Sequence, residues 1–223
     1  MTGSMTWIKI CGTTNLEDAL TAVDAGADAL GFVFYEKSPR KIGVGAAGKI
    51  AAKVPPGIEK VGVFVEEPVE RVLLTVTLAG LTAAQLHGDQ YLAPEALQQL
   101  KSTRDVKVFL VMPAEKHSSP EWLKSRGLGI SALFFDSGTP QLPGGTGRVF
   151  DWNTAAPTIE AIGKDVNVVV AGGLNSTNVA DAIHILKPWG VDVASGVEAR
   201  PGKKDPKKVR AFIEAVRQAD KKN

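Results

Sequence analysis

The sequence predicts a single (β/α)8 barrel, and three observations support this prediction. Short apolar segments alternate with amphipathic helical segments along the chain, and this alternation occurs eight times. The connections are short, and no region has a distinct composition that would mark a second domain. At 223 residues the chain has the length of one such barrel, whereas an open doubly wound sheet usually stops at about five or six strands.

The first strand–helix unit illustrates the pattern behind each assignment. The apolar run Trp7–Gly12 ends in a cysteine and a glycine, which is typical of a buried parallel strand that leads into a loop. Asn15 is a good helix N-cap, apolar residues recur at helical spacing over 16–23, and Gly26 suits a helix C-terminus. A strand and an amphipathic helix are therefore expected here.

The same reasoning assigns the remaining elements in order, as apolar runs for strands and amphipathic segments for helices. Strands are predicted at 28–34, 60–65, 83–88, 106–111, 132–136, 166–171 and 191–195. Helices are predicted at 44–53, 69–78, 94–101, near 120–125, and at 153–162, 176–186 and 205–218. We expect residues 6–223 to form the barrel domain, and residues 1–5 to be an expression scar with the native start at Met5.

Composition excludes several classes of function. The net charge is only +2, from 26 basic and 24 acidic residues, so no general field favours nucleic acid or a membrane surface. No window approaches the length of apolar sequence that a membrane helix needs. One cysteine and three scattered histidines give no metal-ligand spacing, and the single cysteine indicates a reducing compartment. A cytoplasmic protein without a metal site is expected.

Chemically useful residues are predicted at the ends of the strands, where barrels of this type carry their catalytic groups. Cys11 follows the first strand and Asp136 ends the sixth, so the two side chains could face each other across a bound substrate. A thiolate with a lowered pKa is a competent base, and a carboxylic acid with a raised pKa is a competent proton donor. The alternatives are an inert buried cysteine and an aspartate that caps its loop.

Glycines follow the last two strands and suggest a phosphate site. Gly172-Gly173 and Ser195-Gly196 allow close approach of the backbone to an anion, although either pair alone could be a tight turn. Both together, on the final two strands of a barrel, favour a phosphorylated small molecule. The loop Gly144–Gly147, which contains Gly145, is expected to be mobile and to touch the substrate.

Two further strand-end residues have both a functional and a structural interpretation. Arg40 lies in a polar loop and could grip a carboxylate with two parallel hydrogen bonds, although such an arginine is usually solvated. His87 could act as a base, but a strand-end histidine with satisfied hydrogen bonds is the more frequent case. Both are retained as candidate substrate-binding residues.

The ordered set of motifs resembles the phosphoribosylanthranilate isomerase family of tryptophan biosynthesis, whose fold is a TIM barrel. The matching segments span the chain: Lys9–Gly12, Gly31-Phe32, Ser38–Arg40, Gln85–Gly88, Phe135-Asp136, Gly144–Gly147, Ala171–Leu174 and Ser195–Glu198. The resemblance implies a cofactor-free Amadori rearrangement of N-(5'-phosphoribosyl)anthranilate, a small phosphosugar. It also implies that Asp136 is the general acid, Cys11 the general base, Arg40 the ligand of the anthranilate carboxylate, and the two glycine pairs the phosphate site.

Two departures and two rival functions remain open. The family commonly has two serines where this chain has Ala194-Ser195, and segment 200–205 is unusually basic, which is read as a solvated loop and helix cap. The rivals are the related isomerase of histidine synthesis, expected to use two aspartates and a substrate with two phosphates, and a catalytically silent sensor or scaffold. A monomer or a homodimer is expected, and a monomer is favoured because no long exposed apolar helix face is evident.

Overall fold

Eight parallel strands close into a barrel in the order of the chain, with β1 paired to both β2 and β8. The computed structural model describes residues 5–102, 106–114, 129–137 and 149–221. The barrel strands are β1 Trp7–Ile10, β2 Ala29–Val33, β3 Glu59–Val65, β4 Ala83–His87, β5 Lys107–Pro113, β6 Ala132–Asp136, β7 Val168–Val170 and β8 Gly190–Val193. The predicted fold class is confirmed.

Helices separate the strands in the sequence and surround the barrel. They are α1 Leu16–Ala25, α2 Val44–Ala51, α3 Val69–Ala79, α4 Pro94–Ser102, α5 Trp152–Gly163, α6 Val179–Leu186 and α7 Pro206–Asp220. The helix predicted near 120–125 lies outside the described residues. The first predicted caps are confirmed, since the Asn15 side chain accepts a hydrogen bond from the Asp18 amide and Gly26 adopts a left-handed conformation with φ 101°.

Helix α6 begins three residues later than the sequence predicts, and two asparagines explain the difference. The Asn178 carboxamide accepts from the Asn175 amide at 2.8 Å and donates to the Gly173 carbonyl at 3.0 Å. These side-chain bonds offer the backbone an alternative to the helical ladder. Residues 175–178 therefore form a turn after β7, and the helix predicted from Ser176 starts only at Val179.

Apolar side chains fill two regions, one between the barrel and its helices and one inside the barrel. Within the barrel, the Trp7 ring lies edge-on to Phe109 and Phe134, with centroid distances of 6.0 and 6.4 Å. A smaller cluster of Cys11, Val33 and Val63 lies at the opposite end of the interior. The Trp7 layer closes the N-terminal end of the barrel, which leaves the C-terminal end for ligand binding.

A short antiparallel pair, β9 Glu198–Arg200 and β10 Lys203–Lys204, lies between β8 and α7 and was not predicted. A 3-10 helix at Ser195–Val197 connects it to β8. This hairpin carries part of the basic segment that the sequence suggested to be solvated.

The surface of the described chain has few large apolar side chains. Leu74 and Leu78 lie one turn apart on α3 and are 58% and 65% exposed, which is a short patch and not a long apolar face. The prediction of a monomer or a homodimer stays a prediction. No helix within the described ranges combines the length and apolar character needed to span a membrane.

Candidate active site

A cavity of about 170 Å³ opens at the C-terminal ends of the barrel strands. Polar or reactive side chains from β1, β4, β6, β8 and the segment after β2 line it, among them Cys11, Arg40, Gln85, His87, Asp136 and Asp192. A larger groove of about 600 Å³ lies between α5 and α6 beside Thr6 and Trp189. That groove is at the N-terminal end of the barrel, whereas the catalytic groups of such barrels lie at the C-terminal end. The first cavity is therefore the candidate site.

Cys11 follows β1 directly and is held by neighbouring strands. Its amide donates to the Val193 carbonyl at 2.8 Å, and its side chain is only 7% exposed. Burial raises the pKa of the thiol, the positive charge of Lys9 opposes this increase, and the negative charge of Asp192 adds to it. The fraction of Cys11 that is ionised, and so able to act as a base, thus depends on the charges that surround the thiol.

Lys9 and Asp192 form a buried ion pair beneath Cys11. Lys9 Nζ lies 2.9 Å from Asp192 Oδ1, and the lysine side chain is completely buried. Burial lowers the pKa of Lys9, but the Asp192 carboxylate and Cys11 outweigh this effect and the pKa is raised above its usual value. The ammonium group therefore remains charged inside the barrel, where it also lies 5.5 Å from the centre of the Phe134 ring.

Asp136 ends β6 on the other side of the cavity. It is 8% exposed, and its carbonyl accepts a hydrogen bond from the Ala114 amide at 2.9 Å. Cys11 and Asp136 line the same space from β1 and β6, as the alternation of strands and helices predicts. One thiol and one carboxyl group therefore line the same cavity from different strands.

Gln85 and His87 lie two residues apart on β4 and face the cavity together. Their Nε2 atoms are 3.3 Å apart, so the amide donates to the imidazole when the neutral ring carries its proton on Nδ1. Burial, with a contribution from the charge of Lys9, lowers the pKa of His87 to about 4. A neutral imidazole is a weak base at pH 7, which favours a hydrogen-bonding role. Among the described side chains, Gln85 Oε1 is one of the few buried polar atoms without a hydrogen-bond partner.

Arg40 faces the cavity but is already paired with a carboxylate. Its Nε and Nη2 donate to the two carboxylate oxygens of Glu198 at 2.9 and 2.8 Å. Lys204, which is 1% exposed, donates to Glu198 Oε1 at 3.1 Å and to the carbonyls of Cys11 and Ala194. The expectation that segment 200–205 is a solvated loop is wrong for Lys204, because three acceptors hold its ammonium group in the interior.

The two glycine loops meet at the edge of the site. Gly172 and Gly173 both have positive φ, at 87° and 66°. A methyl group on Gly196 would lie 2.0 Å from the Leu174 carbonyl oxygen, so the loop with Ser195-Gly196 packs directly on the loop after β7. The backbones of both loops are therefore adjacent, as a shared anion site requires. Gly145 and its loop lie outside the described residues.

Sequence reasoning overlooked Lys9, Asp192, Gln85, Glu198 and Lys204 as parts of the site. The first three had a signal, since each is a polar residue inside an apolar strand. Lys9 precedes Cys11 by two positions, which places both side chains on the same face of a strand, and β1 pairs Lys9 with Asp192. Glu198 and Lys204 had no such signal, because their burial depends on a hairpin that local sequence does not indicate.

The sequence and the fold of this chain are similar to those of known proteins. The family described as "N-(5'phosphoribosyl)anthranilate (PRA) isomerase" matches residues 8–215. N-(5'-phosphoribosyl)anthranilate isomerase of Chlorobaculum parvum is 44% identical over 97% of each chain. The phosphoribosyl anthranilate isomerase structure from Thermus thermophilus has a TM-score of 0.83 and 36% identity over 96% of this chain and 99% of that one. A further isomerase of the same name, solved with reduced 1-(o-carboxyphenylamino)-1-deoxyribulose 5-phosphate, has a TM-score of 0.78 and 36% identity, over 96% of this chain and 100% of that one.

Proposed function

The chain belongs to the N-(5'-phosphoribosyl)anthranilate isomerase family, and we propose that it converts this substrate into 1-(2-carboxyphenylamino)-1-deoxyribulose 5-phosphate in tryptophan biosynthesis. One observation carries the chemical part of the proposal: Cys11 and Asp136 line a single cavity from β1 and β6. An Amadori rearrangement needs one proton donor and one proton acceptor at different atoms of the sugar, and these two groups meet that need.

The rearrangement begins with ring opening. Asp136 donates a proton to the furanose ring oxygen, the bond between that oxygen and carbon 1 breaks, and the nitrogen lone pair forms a protonated Schiff base with carbon 1. The Cys11 thiolate then removes the proton from carbon 2, and the electrons of that bond neutralise the iminium nitrogen to give an enolamine. Protonation at carbon 1 and loss of the proton on the carbon 2 hydroxyl give the ketone. The sequence of steps is an isomerisation without external oxidant or reductant.

Arg40 is proposed to bind the anthranilate carboxylate. A guanidinium group has five N–H donors, and the bonds to Glu198 involve Nε and one hydrogen of Nη2. The Glu198 carboxylate fixes the plane of the guanidinium group, so a ligand carboxylate meets a preoriented partner. His87, neutral at pH 7, is proposed to contribute a hydrogen bond, and Gly145 a contact from its loop.

The phosphate is proposed to bind where the loops after β7 and β8 meet, at Gly172, Gly173, Ser195 and Gly196. The positive φ values of the first two and the tight packing of Gly196 on Leu174 support this placement, because glycine at these positions lets the two loops approach each other and leaves their backbone N–H groups accessible to an anion. Ala194 provides no hydroxyl group, so backbone N–H groups supply the hydrogen bonds that a serine would give.

The decisive experiment is turnover of freshly generated N-(5'-phosphoribosyl)anthranilate, followed by the loss of its anthranilate-type fluorescence. We expect the wild type to turn over and Cys11→Ser and Asp136→Asn each to lose about a hundred- to ten-thousand-fold in kcat. Asp165→Asn is a matched control, since Asp165 is exposed and precedes β7 at the opposite end of the barrel. Circular dichroism confirms that each variant is folded.

The pattern of results separates the alternatives. A folded wild type that binds the reduced product analogue but leaves the fluorescence unchanged contradicts the isomerase proposal, and the histidine-pathway aminoaldose or a sensor role is then tested. Normal turnover by Cys11→Ser or Asp136→Asn contradicts only the role of that residue. Since the base must be ionised and the acid protonated, kcat/KM should show a bell-shaped pH profile.

A further inference from the structure

We propose that Lys9 is a positioning residue whose ammonium group stabilises the thiolate of Cys11, and that Asp192 holds this ammonium group in place. The inference rests on the proposed function, in which Cys11 is the base, and adds a cation that favours the ionised form of its thiol. Lys9 lies in the motif Lys9–Gly12, but the sequence assigned no role to Lys9 or to Asp192.

The side chains of Lys9 and Cys11 lie beside each other, and Asp192 pairs with Lys9 at the same place. A methyl group added at Gly31 would lie 2.8 Å from the Cys11 sulfur and 3.0 Å from Lys9 Nζ, so both atoms border the same small space inside β2. Glycine at this position makes room for the two side chains to lie beside each other. Any larger residue would push the ammonium group or the thiol away.

The Lys9 ammonium group is confined to the barrel interior. The side chain is fully buried and its ammonium group is 2.9 Å from Asp192 Oδ1, in a layer otherwise bounded by Phe134. A buried ammonium ion is costly unless it is paired, and one carboxylate satisfies only part of its three donors. The thiolate formed next to it supplies a second negative charge, and the attraction is strong because water is excluded.

Several other titratable groups surround Cys11. They are Lys9 from β1, Tyr35, Lys37 and Arg40 from the segment after β2, His87 from β4, Asp136 from β6, Asp192 from β8 and Lys204 from β10, whereas β2 and β3 border the cavity with valines. Lys204 contacts the carbonyl of Cys11, and Arg40 is engaged by Glu198. His87 is uncharged at neutral pH because its pKa is about 4. Lys9 is therefore the cation that acts most directly on the sulfur.

The pKa of the buried Cys11 thiol stays above its usual value, and Lys9 limits the increase. Burial raises the pKa of Cys11 and the charge of Asp192 raises it further, whereas Lys9 lowers it. If Asp192 is replaced by asparagine, the amide oxygen can still accept the hydrogen bond of Lys9, the thiolate becomes the counter-ion of the ammonium group, and no carboxylate opposes the lysine charge. The two substitutions should thus change the ionisation of Cys11 in opposite directions, which loss of folding would not do.

The test uses the single cysteine of the chain, because alkylation by iodoacetamide then reports on Cys11 alone. The rate is measured from pH 5 to 10 for the wild type, Lys9→Met, Asp192→Asn and the double variant, with Cys11→Ser as the blank. The pH midpoint reports thiolate formation, and the plateau rate at high pH reports access to the sulfur. These two readouts separate a change in charge from a change in packing.

We expect Lys9→Met to move the midpoint to higher pH and to slow alkylation at pH 7 by roughly tenfold or more. Asp192→Asn should move the midpoint to lower pH, and the ascending limb of the kcat/KM profile should follow the midpoint in each variant. The double variant buries no unpaired charge. If Lys9→Met does not fold, the effect of Lys9 is therefore measured by comparing Asp192→Asn with the double variant. The double variant should have a midpoint above that of Asp192→Asn.

The inference is overturned if the wild type and Lys9→Met have equal midpoints. If Lys9→Met does not fold, equal midpoints in Asp192→Asn and the double variant overturn it instead. A midpoint that rises in Asp192→Asn also overturns it, since removal of the carboxylate would then act through lost structure. Full turnover by Cys11→Ser contradicts the proposed base but not the charge effect, which alkylation measures independently. The failure of the inference and that of the proposed function are therefore distinguishable.

Discussion

Replacement of Glu198 by glutamine should destabilise the protein far more than a surface glutamate replacement does. The Glu198 carboxylate accepts hydrogen bonds from Arg40 and Lys204 and also from the Gly202 amide at 3.2 Å. Glutamine has nearly the same size but no charge, and its NH2 group faces a cation. The substitution leaves two positive side chains in the hairpin region without their common counter-ion.

The size of the expected loss of stability follows from the burial of these three side chains. The side chains of Lys204 and Glu198 are only 1% and 4% exposed and that of Arg40 is 13% exposed, so solvent does little to replace the lost charge. Removal of one partner of a buried ion pair typically costs about 3–5 kcal/mol. Because Arg40 is partly exposed, we expect the lower end, about 3 kcal/mol in the free energy of unfolding. For a domain of this size that corresponds to a decrease of roughly 6–12 °C in Tm.

The assay is urea unfolding of Glu198→Gln followed by circular dichroism, with Glu36→Gln as the matched control. Glu36 pairs with Lys41 at the surface with an 81% exposed side chain, and such pairs contribute little. Equal stability of the two variants at pH 7 would refute the reasoning.

The pH dependence of the Glu198→Gln deficit has a definite sign. Burial raises the pKa of Glu198, but the bonds and charges of Arg40 and Lys204 outweigh it and hold the pKa below the usual 4.5. The stability that the carboxylate provides is therefore complete above pH 4.5 and is lost as the pH falls through the lower folded-state pKa. The deficit should accordingly shrink in acid.

Two further predictions concern His87 and Gly196. Because the pKa of His87 falls from 6.5 in the unfolded chain to about 4 in the fold, the unfolded state binds more protons between these values. The free energy of unfolding of the wild type should fall by up to roughly 3 kcal/mol from pH 6.5 to 4. His87→Gln should reduce this dependence of stability on pH, as measured by urea unfolding at each pH. An unchanged dependence contradicts the lowered pKa of His87. Gly196→Ala should raise KM for the phosphorylated substrate, since its methyl group would lie 2.0 Å from the Leu174 carbonyl, whereas Gly163→Ala meets nothing within 4 Å and should leave KM unchanged.

The barrel was predictable because its signals are local. Each strand is an apolar run, and glycine and asparagine mark the ends of helices such as α1. The late start of α6 was not predictable from helical spacing, because Asn175 and Asn178 can cap either a turn or a helix. The helical interpretation failed where two polar side chains satisfy the backbone locally.

The placement of Cys11 and Asp136 in one cavity follows from chain order alone, since a barrel brings the C-terminal ends of all strands to one face. The partners of these residues do not follow in the same way. Lys204 lies 193 residues from Cys11 and still donates to its carbonyl, through a hairpin whose sequence reads as a charged loop. The charge of Lys204 suggested exposure to solvent, whereas three acceptors, Cys11 from the first strand and Ala194 and Glu198 from its own region, make its burial stable.

The interior charges explain why the site combines a reactive thiol with a stable barrel. An ion pair such as Lys9–Asp192 stabilises a fold less well than apolar residues of similar volume would. Its position between β1 and β8 nevertheless places a fixed cation beside Cys11, which an apolar core could not provide. The second group of charges, around Glu198, orients Arg40 and the backbone of the β1 terminus from the other side. Both groups of buried charges thus lie beside Cys11 at the C-terminal end of the strands, where we propose that the substrate binds and is deprotonated.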